Sequence, residues 1–430
     1  MNPVAVLFLT FLALVVIRVP IAYALALSSL LVAYLADLRP TLVVQQMFHG
    51  LNSFTLLAVP FFLLSGQLLN SGQITDRLVR LAQALVGHIR GGLAHINILV
   101  SMLFAGMSGS STADTAGVGS VMIPAMTSRG FDRRFTIALT AASSTMGSII
   151  PPSIMMIIYG ASGGVSIGGL FLAGAIPGAF IGAAQMVYAY AYAVRHGYPA
   201  ESRASLGEFW AAWKAGLLPL MVPVIIIGGV LSGKFTATEA GMVATVYVLI
   251  LMFVVYRTTS LARLPKVLAD AAVLYSQPLL AVSAATLFGW LLAYFQAPQA
   301  IGELAGGLTD SSTLTVLAIA LIFIVVGTFM DAIPAIIIFL PIVSHLVDVS
   351  GAHPLHVGLV VVMTLAMGLI TPPYGLCLLL SCAIGREPVG RVMPQMLVFY
   401  GLFLVVLLLI ILFPAISLFL PRLVMPQFVA

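Results

Sequence analysis

The stretch FAGMSGSSTADTAGVGSVMIP, residues 104–124, decides the fold, because small and hydroxyl-bearing residues here surround a single carboxylate, Asp114. The apolar segments on either side are each too short to cross a membrane. About 217 residues later the chain reads GTFMDAIPAIIIFLP, residues 327–341, in which Asp331 precedes a proline by ten positions, as Asp114 does. The two stretches therefore look like copies of one unit.

A second pair of related stretches lies downstream of the first pair, and its two members are separated by a similar number of residues. These are MGSIIPP, residues 146–152, and MGLITPP, residues 367–373. A proline removes a backbone hydrogen-bond donor and clashes with the preceding helical turn, so two adjacent prolines unwind a helix. Two matched pairs of motifs indicate an internal duplication in which each copy carries one broken helix.

Composition restricts the class of protein. The chain has 430 residues, of which 61% are hydrophobic and 7% are charged, whereas a soluble domain has about 25% charged residues. Its apolar runs of about 17 to 25 residues match the length of a membrane-crossing helix. The first run, Val4 to Ile17, has no basic residue before it, which favours a retained helix over a signal peptide. The sequence predicts a polytopic membrane protein.

The basic residues predict how the chain is threaded. Arg90 lies at one end of segment 91–130, and Arg129, Arg133 and Arg134 lie at the other. Because basic residues mark the cytoplasmic side, both ends belong there, and the segment must enter the membrane and return as a re-entrant hairpin. The formal charge of +5 could instead indicate an anionic partner such as nucleic acid, but this cytoplasmic bias explains it, and no nucleic-acid partner is predicted.

The second hairpin, residues 312–350, has the opposite character at its base. Its flanking charged or titratable residues are Glu303, Asp310, Asp348, His353 and His356, without Lys or Arg. If the first hairpin enters the membrane from the cytoplasm, only Arg39, Lys234 and Arg422 of the 18 basic residues lie on the outer side of the membrane. The two hairpins are therefore predicted to enter from opposite faces, with their tips meeting near the midplane.

These inferences define a fold class: an all-α polytopic membrane protein of two inverted repeats, each with a re-entrant helical hairpin and a Pro-Pro-broken helix. The first repeat is assigned to residues 1–198, with its hairpin at about 91–130 and its broken helix at about 133–163. Residues 199–215 are predicted to be an interfacial linker. The second repeat is assigned to 216–430, with its hairpin at about 312–350 and its broken helix at about 357–384.

Hydroxyl groups and unwound carbonyls near both hairpin tips predict a site for a hard cation such as sodium, which prefers oxygen ligands. Helix N-termini at the same depth would favour a carboxylate substrate. The sodium-binding candidates are Ser108, Ser110, Ser111, Thr112, Ser143, Ser144, Gly147, Gly327, Thr328, Met367, Gly368 and Thr371. The substrate-binding candidates are Ser110, Thr112, Asp114, Pro151, Pro152, Ser153, Asp331, Pro372, Pro373 and Tyr374.

Structural roles compete with these assignments. Small and hydroxyl residues also allow membrane helices to pack closely, and an Asp beside a hairpin tip can cap a helix N-terminus. Cys377 and Cys382 lie in one apolar segment without a neighbouring His or carboxylate cluster, so no metal other than sodium is predicted. The seven histidines are scattered and no HExxH motif occurs, which argues against an enzyme acting on lipid-linked substrates.

Four stretches make the chain resemble a known family, the large membrane (M, or DctM-like) subunit of tripartite ATP-independent periplasmic (TRAP) transporters. They are GMSGSSTADTAGVGSVMIPAM at 106–126, ASSTMGSIIPPSIMMIIYG at 142–160, MGLITPPYGLCLLLS at 367–381 and VPFFLLSGQLLNSG at 59–72. The similarity extends over essentially the whole chain.

The resemblance implies sodium-coupled symport of an organic acid across the bacterial inner membrane by an elevator motion, without another cofactor. The acid would be a C4-dicarboxylate, a sugar acid or a sialic acid. Implied partners are a small membrane subunit (Q, DctQ-like), a periplasmic substrate-binding protein (P subunit) and the lipid bilayer. An alternative of similar architecture is a stand-alone sodium-coupled carboxylate carrier or a sodium/proton antiporter, which needs no binding protein.

Overall fold

The described part of the protein is helical throughout. The computed structural model describes residues 2–71, 74–200, 202–258, 260, 262, 264–304 and 311–428, and these contain helices and turns but no strand. Gly72, at the end of the quoted stretch 59–72, and Asp310, at the predicted base of the second hairpin, lie outside these ranges. Seven helices in the described ranges are long and apolar enough to cross a membrane. The expectation of an all-α polytopic membrane protein is confirmed.

The N-terminal part contains five helices: α1 (Pro3–Val16), α2 (Ile21–Leu35), α3 (Pro40–Leu51), α4 (Ala58–Ser71) and α5 (Ile74–Val86). Arg18 has a positive φ of 67° in the turn between α1 and α2. The sequence does not predict α3, which begins with Pro40 in its first turn and is bent by 55° from the helix after it. Helix α5 carries Arg77 and Arg80 opposite a buried face that includes Leu78 and Leu81.

The first hairpin and the first broken helix follow directly. They comprise α6 (Gly92–Ser108), α7 (Ser111–Ser128), α8 (Arg133–Ser144) and α9 (Ile154–Gly163), followed by the long helix α10 (Ile167–Arg195). A 3₁₀ turn, Thr145–Ser148, follows α8, so the regular α-helix ends before the two prolines. Ser153 then caps α9 by accepting a hydrogen bond from the Met156 N–H at 3.3 Å.

The central part contains α11 (Leu206–Leu231), α12 (Ala237–Ile250), α13 (Leu264–Tyr294) and α14 (Ala297–Leu304). Helix α11 begins with a capping box formed by Ser205 and Glu208 and continues without interruption past Trp210 and Trp213. The linker boundary expected at 215 therefore falls inside one helix. A π-helical segment, Leu251–Val255, continues α12.

The second hairpin and the second broken helix complete the chain. They comprise α15 (Ser312–Phe329), α16 (Ala332–Ser350), α17 (Pro354–Gly368) and α18 (Leu376–Gly385), followed by α19 (Val389–Leu412) and α20 (Pro414–Val424). By length and composition α15 and α16 could each cross a membrane, so the re-entrant path of this hairpin stays a prediction. The proline pairs, Pro151–Pro152 and Pro372–Pro373, both have cis peptide bonds.

The first hairpin and broken helix pack against the second hairpin and broken helix around the breaks. Helix α7 contacts both α8 and α18, and α16 contacts both α17 and α9. Large side chains such as Phe104, Phe135 and Phe323 are almost fully buried. The contacts of α7 with α18 and of α16 with α9 place both hairpin tips and both breaks next to one another.

Candidate functional site

The tip of the first hairpin is bound to the first break through its backbone. Gly109, with a positive φ of 63°, ends α6, and its carbonyl accepts a hydrogen bond from the Ile154 N–H at 3.1 Å. Ser110 caps α7 by accepting from the Ala113 N–H at 3.4 Å. The Ser111 hydroxyl contacts the Ser148 hydroxyl at 2.7 Å and donates to the Thr145 carbonyl at 3.2 Å. The tip and the unwound segment therefore form one polar unit.

The second tip makes a similar backbone contact with fewer hydroxyl groups. The Thr328 carbonyl accepts a hydrogen bond from the Tyr374 N–H at 2.9 Å. The Thr328 and Thr371 hydroxyls donate to carbonyls of their own helical turns, at 2.7 and 2.8 Å. Asp331 caps α16 by accepting from the Ala332 N–H at 2.7 Å.

Glycines allow each tip to approach its break closely. A Cβ atom at Gly147 would lie 2.9 Å from the Ser111 backbone nitrogen. A Cβ atom at Gly368 would lie 2.5 Å from the Gly327 carbonyl oxygen. Because these neighbours are backbone atoms, they cannot rotate out of the way, and only glycine fits at either position.

A cavity of about 860 Å³ lies between the two tips. Five predicted site residues line it: Ser110, Ser111, Thr112, Asp331 and Tyr374. Of the described residues in its wall, Asp331 is the only acidic or basic side chain. The cavity therefore has the size of a small-molecule site, and its wall supplies no Lys or Arg to neutralise an anion.

Helix N-termini replace basic side chains in this wall. The first turns of five helices line the cavity, through Ile21 of α2, Thr112 of α7, Ile154 of α9, Ile333 of α16 and Leu376 of α18. The free N–H groups and the dipole at a helix N-terminus favour negative charge. The geometry suits a carboxylate without a buried cationic side chain.

The other predicted site residues lie around the cavity without lining it. Ser108, Asp114, Ser143, Ser144 and Ser153 are fully buried. Gly147, Pro151, Pro152, Gly327, Met367 and Gly368 are buried at the tips and breaks, whereas Thr328, Thr371 and Pro372 are partly buried and Pro373 is exposed.

The two aspartates that match in sequence occupy different positions. Asp331 caps a helix at the cavity, whereas Asp114 lies in the first turn of α7 behind the tip and is fully buried. Neither Asp114 carboxylate oxygen accepts a hydrogen bond in the described structure. The hydroxyls of Ser101 and Ser144 lie beside it, but they are hydrogen bonded to Ser143 and to the Thr140 carbonyl. A buried carboxylate of this kind requires a proton or a cation.

Polar residues outside the hairpins also line the cavity, and the sequence alone did not single them out. They are Tyr23 on α2 and Gln67 and Asn70 on α4. Gln67 and Asn70 belong to the stretch SGQLLNSG, residues 65–72, which contributes to the family resemblance, but nothing in the pattern of that stretch places it beside a hairpin tip.

Comparison with known proteins agrees with this architecture. Residues 8–416 match the family described as "Tripartite ATP-independent periplasmic transporter, DctM component". The chain is 41% identical to the uncharacterized protein YgiK of Salmonella typhimurium, over 99% of this chain and 98% of that protein. It is 39% identical to the sialic acid TRAP transporter large permease protein SiaM of Vibrio cholerae, over 88% of this chain and 89% of that protein.

A solved structure shares the fold. The MtrF protein of Neisseria gonorrhoeae, described as representing a class of antimetabolite efflux pumps, superposes with a TM-score of 0.60 at 14% identity, over 96% of this chain and 95% of that one. Such low identity supports the fold alone. The match over residues 8–416 and the identity to SiaM show that this chain belongs to the DctM family, the large permease component of tripartite ATP-independent periplasmic transporters.

Proposed function

We propose that this chain is the permease subunit of a sodium-coupled importer of an organic acid in the bacterial inner membrane, and that it works with a periplasmic binding protein and a small membrane subunit. The observation that carries the proposal is the cavity between the two tips, whose described wall combines the N-termini of five helices and one carboxylate, Asp331, with no basic side chain. The relative SiaM is named for sialic acid, which is itself a carboxylic acid.

The residues behind the first tip fit a sodium site. Asp114 has two buried oxygens without a hydrogen-bond donor, and the Ser111 and Ser148 hydroxyls and the Thr145 carbonyl lie at the adjoining tip. Oxygen ligands of this type suit a hard cation. A bound sodium ion would supply positive charge beside the cavity and would link uptake to the sodium gradient.

Residues of the chain itself bind the substrate and carry out the movement. The first turns of α7, α9, α16 and α18 orient the carboxylate, and the packed tips exclude water from it. Because each tip is hydrogen bonded to a break, the hairpins and broken helices can move as one body against α2, α4 and α13, which form the facing wall. We propose that this relative movement is an elevator motion and that the repeats are inverted.

Reconstitution tests the tripartite assignment. The permease, with its small subunit, is placed in proteoliposomes with an inward sodium gradient, and uptake is measured with and without the cognate binding protein. We expect uptake to require both sodium and the binding protein. Full uptake without the binding protein would favour a stand-alone carrier.

Two serine substitutions test the sodium assignment. Ser110→Ala combined with Ser144→Ala removes hydroxyls at the first tip and beside Asp114, and we expect it to weaken the sodium dependence of uptake more than expression. Ser276→Ala, on the exposed part of α13, is the control. Unchanged sodium activation in the double variant would contradict the assignment.

A further inference from the structure

Gln67 is a polar side chain that none of the roles above uses. It lines the cavity from α4, outside both hairpins and both broken helices. In the described ranges, no hydrogen bond involves its side-chain amide. A primary amide carries two donor hydrogens and an acceptor oxygen. All of these groups are therefore available to a molecule in the cavity.

Two close contacts place Gln67 beside the first hairpin in this conformation. One residue earlier, a Cβ atom at Gly66 would lie 3.2 Å from the Ser108 Cβ atom. One helical turn later, the Asn70 amide donates to the Ala113 carbonyl at 3.2 Å. The Asn70 oxygen occupies the space beside Gly117, where a Cβ atom would lie 2.0 Å away. In this conformation α4 therefore contacts the first hairpin, formed by α6 and α7, on both sides of Gln67.

The part of the wall formed by α2, α4 and α13 carries two other polar side chains, Tyr23 and Asn70. Its apolar residues include Leu63 on α4, Ile21 at the start of α2 and Leu280 on α13. The N-termini of α9, α16 and α18, which also line the cavity, belong to the broken helices and the second hairpin, away from α4. A substrate whose carboxylate lies at these N-termini can reach the Gln67 amide with another part of its body.

We propose that Gln67 is a specificity-determining residue that hydrogen bonds a neutral hydroxyl or carbonyl group on the body of the substrate. The substrate class is then hydroxy- or oxo-acids in preference to unsubstituted aliphatic acids of the same length. This inference rests on the proposed function, because it assumes that the carboxylate lies at the tips. An analogue without the polar group leaves the amide unpaired, and such a loss discriminates far better than a change in apolar contact.

Direct binding to the purified permease in lipid nanodiscs with sodium tests the proposal. The probes are gluconate and hexanoate, which have the same number of carbons and differ in their hydroxyl groups. The variants are Gln67→Leu, Gln67→Ala and the matched control Gln45→Leu on the exposed part of α3. Thermal melting shows whether each variant is folded.

We expect the wild-type protein to bind gluconate more tightly than hexanoate. Either Gln67 variant should reduce this ratio about tenfold, as the loss of one or two hydrogen bonds predicts, and Gln45→Leu should not. Equal binding of the two acids by the wild type, an unchanged ratio in both Gln67 variants, or no binding of either acid would overturn the proposal. Uptake independent of sodium and of the binding protein, with the Gln67-dependent preference intact, would contradict the proposed function instead.

Discussion

At the scale of single residues, the close approach of each tip to its break depends on glycine. Gly147→Ala would place a methyl group 2.9 Å from the Ser111 backbone nitrogen. Overpacking of this kind costs about 1–3 kcal/mol, and it would push the Ser111 hydroxyl away from Thr145. We expect sodium-dependent uptake to fall at least tenfold when it is normalised to the amount of protein in the membrane.

Gly401→Ala is the matched control for that substitution. Gly401 lies in α19, and a Cβ atom there would meet no other group within 4 Å. Alanine is a better helix former than glycine, so this variant should transport like the wild type. Equal uptake by the Gly147 and Gly401 variants would show that the tip tolerates displacement.

Asp331 offers a second test at this scale, because its cap and its charge can be separated. Asp331→Ala removes the acceptor for the Ala332 N–H, which lies at 2.7 Å, and should lower the free energy of unfolding by about 1 kcal/mol. Asp331→Asn keeps an acceptor and should cost less than half as much. Thermal melting in detergent measures both, and equal losses would contradict the capping role.

The sequence predicts the breaks and tips well because their signals are local. Adjacent prolines forbid regular helix, and Ser110 with Ser111 and Thr112 forms a polar run that no lipid-facing helix would carry. The different roles of Asp114 and Asp331 could not be predicted, because α15 continues to Phe329 in a strongly apolar run and moves the second tip to Asp331 itself. The spacing of the sequence motifs pairs Asp331 with Asp114. In the structure Asp331 corresponds to Ser110, because each of these two residues caps the second helix of its hairpin.

At the scale of helices, the amphipathic helix α5 contacts the central part of the chain through a cation–π pair. The Arg77 guanidinium lies 3.7 Å from the centre of the Tyr256 ring, after the π-helical segment that ends α12. The Tyr256 hydroxyl also donates to the Ala215 carbonyl of α11 at 3.4 Å. A cation–π contact at a partly exposed site contributes about 0.5–1 kcal/mol.

A double-mutant cycle measures this contact. Arg77→Gln and Tyr256→Leu should each lower the melting temperature, and the two losses should couple by about 0.5–1 kcal/mol. Tyr256→Phe keeps the aromatic ring and removes the hydroxyl, so it should retain most of the coupling with Arg77. Additive losses from Arg77→Gln and Tyr256→Leu would show that α5 is held by its apolar face alone.

Elements without a strong local signal were harder to predict. Helix α3 carries Gln45, Gln46 and His49, so its composition does not stand out as an apolar span. Helix α20 begins at Pro414, inside what reads as one apolar run from Met393. The role of α4 as a wall of the cavity depends on its packing against α7, which is a tertiary contact.

At the scale of the whole molecule, the central prediction is that the two hairpins enter the membrane from opposite faces. The four arginines at the base of the first hairpin favour the cytoplasm, and the base of the second has no Lys or Arg among residues 311–356. Single cysteines at Ser128 and Val349, both exposed at the ends of α7 and α16, report on the two bases. Cys377 and Cys382 are buried and are replaced by Ala to give a clean background.

An impermeant maleimide applied to intact spheroplasts then separates the two faces. We expect Val349→Cys to react from the outside and Ser128→Cys to react only after the membrane is permeabilised, because two copies related by inversion present equivalent ends to opposite sides. A third reporter, Lys234→Cys, lies in the turn between α11 and α12 and should behave like Val349→Cys, since it is one of the three basic residues assigned to the outside. If Ser128→Cys and Val349→Cys react from the same side, the two repeats are parallel and not inverted. Parallel repeats would not open the cavity to the two sides of the membrane in turn, and this result would contradict the proposed elevator motion.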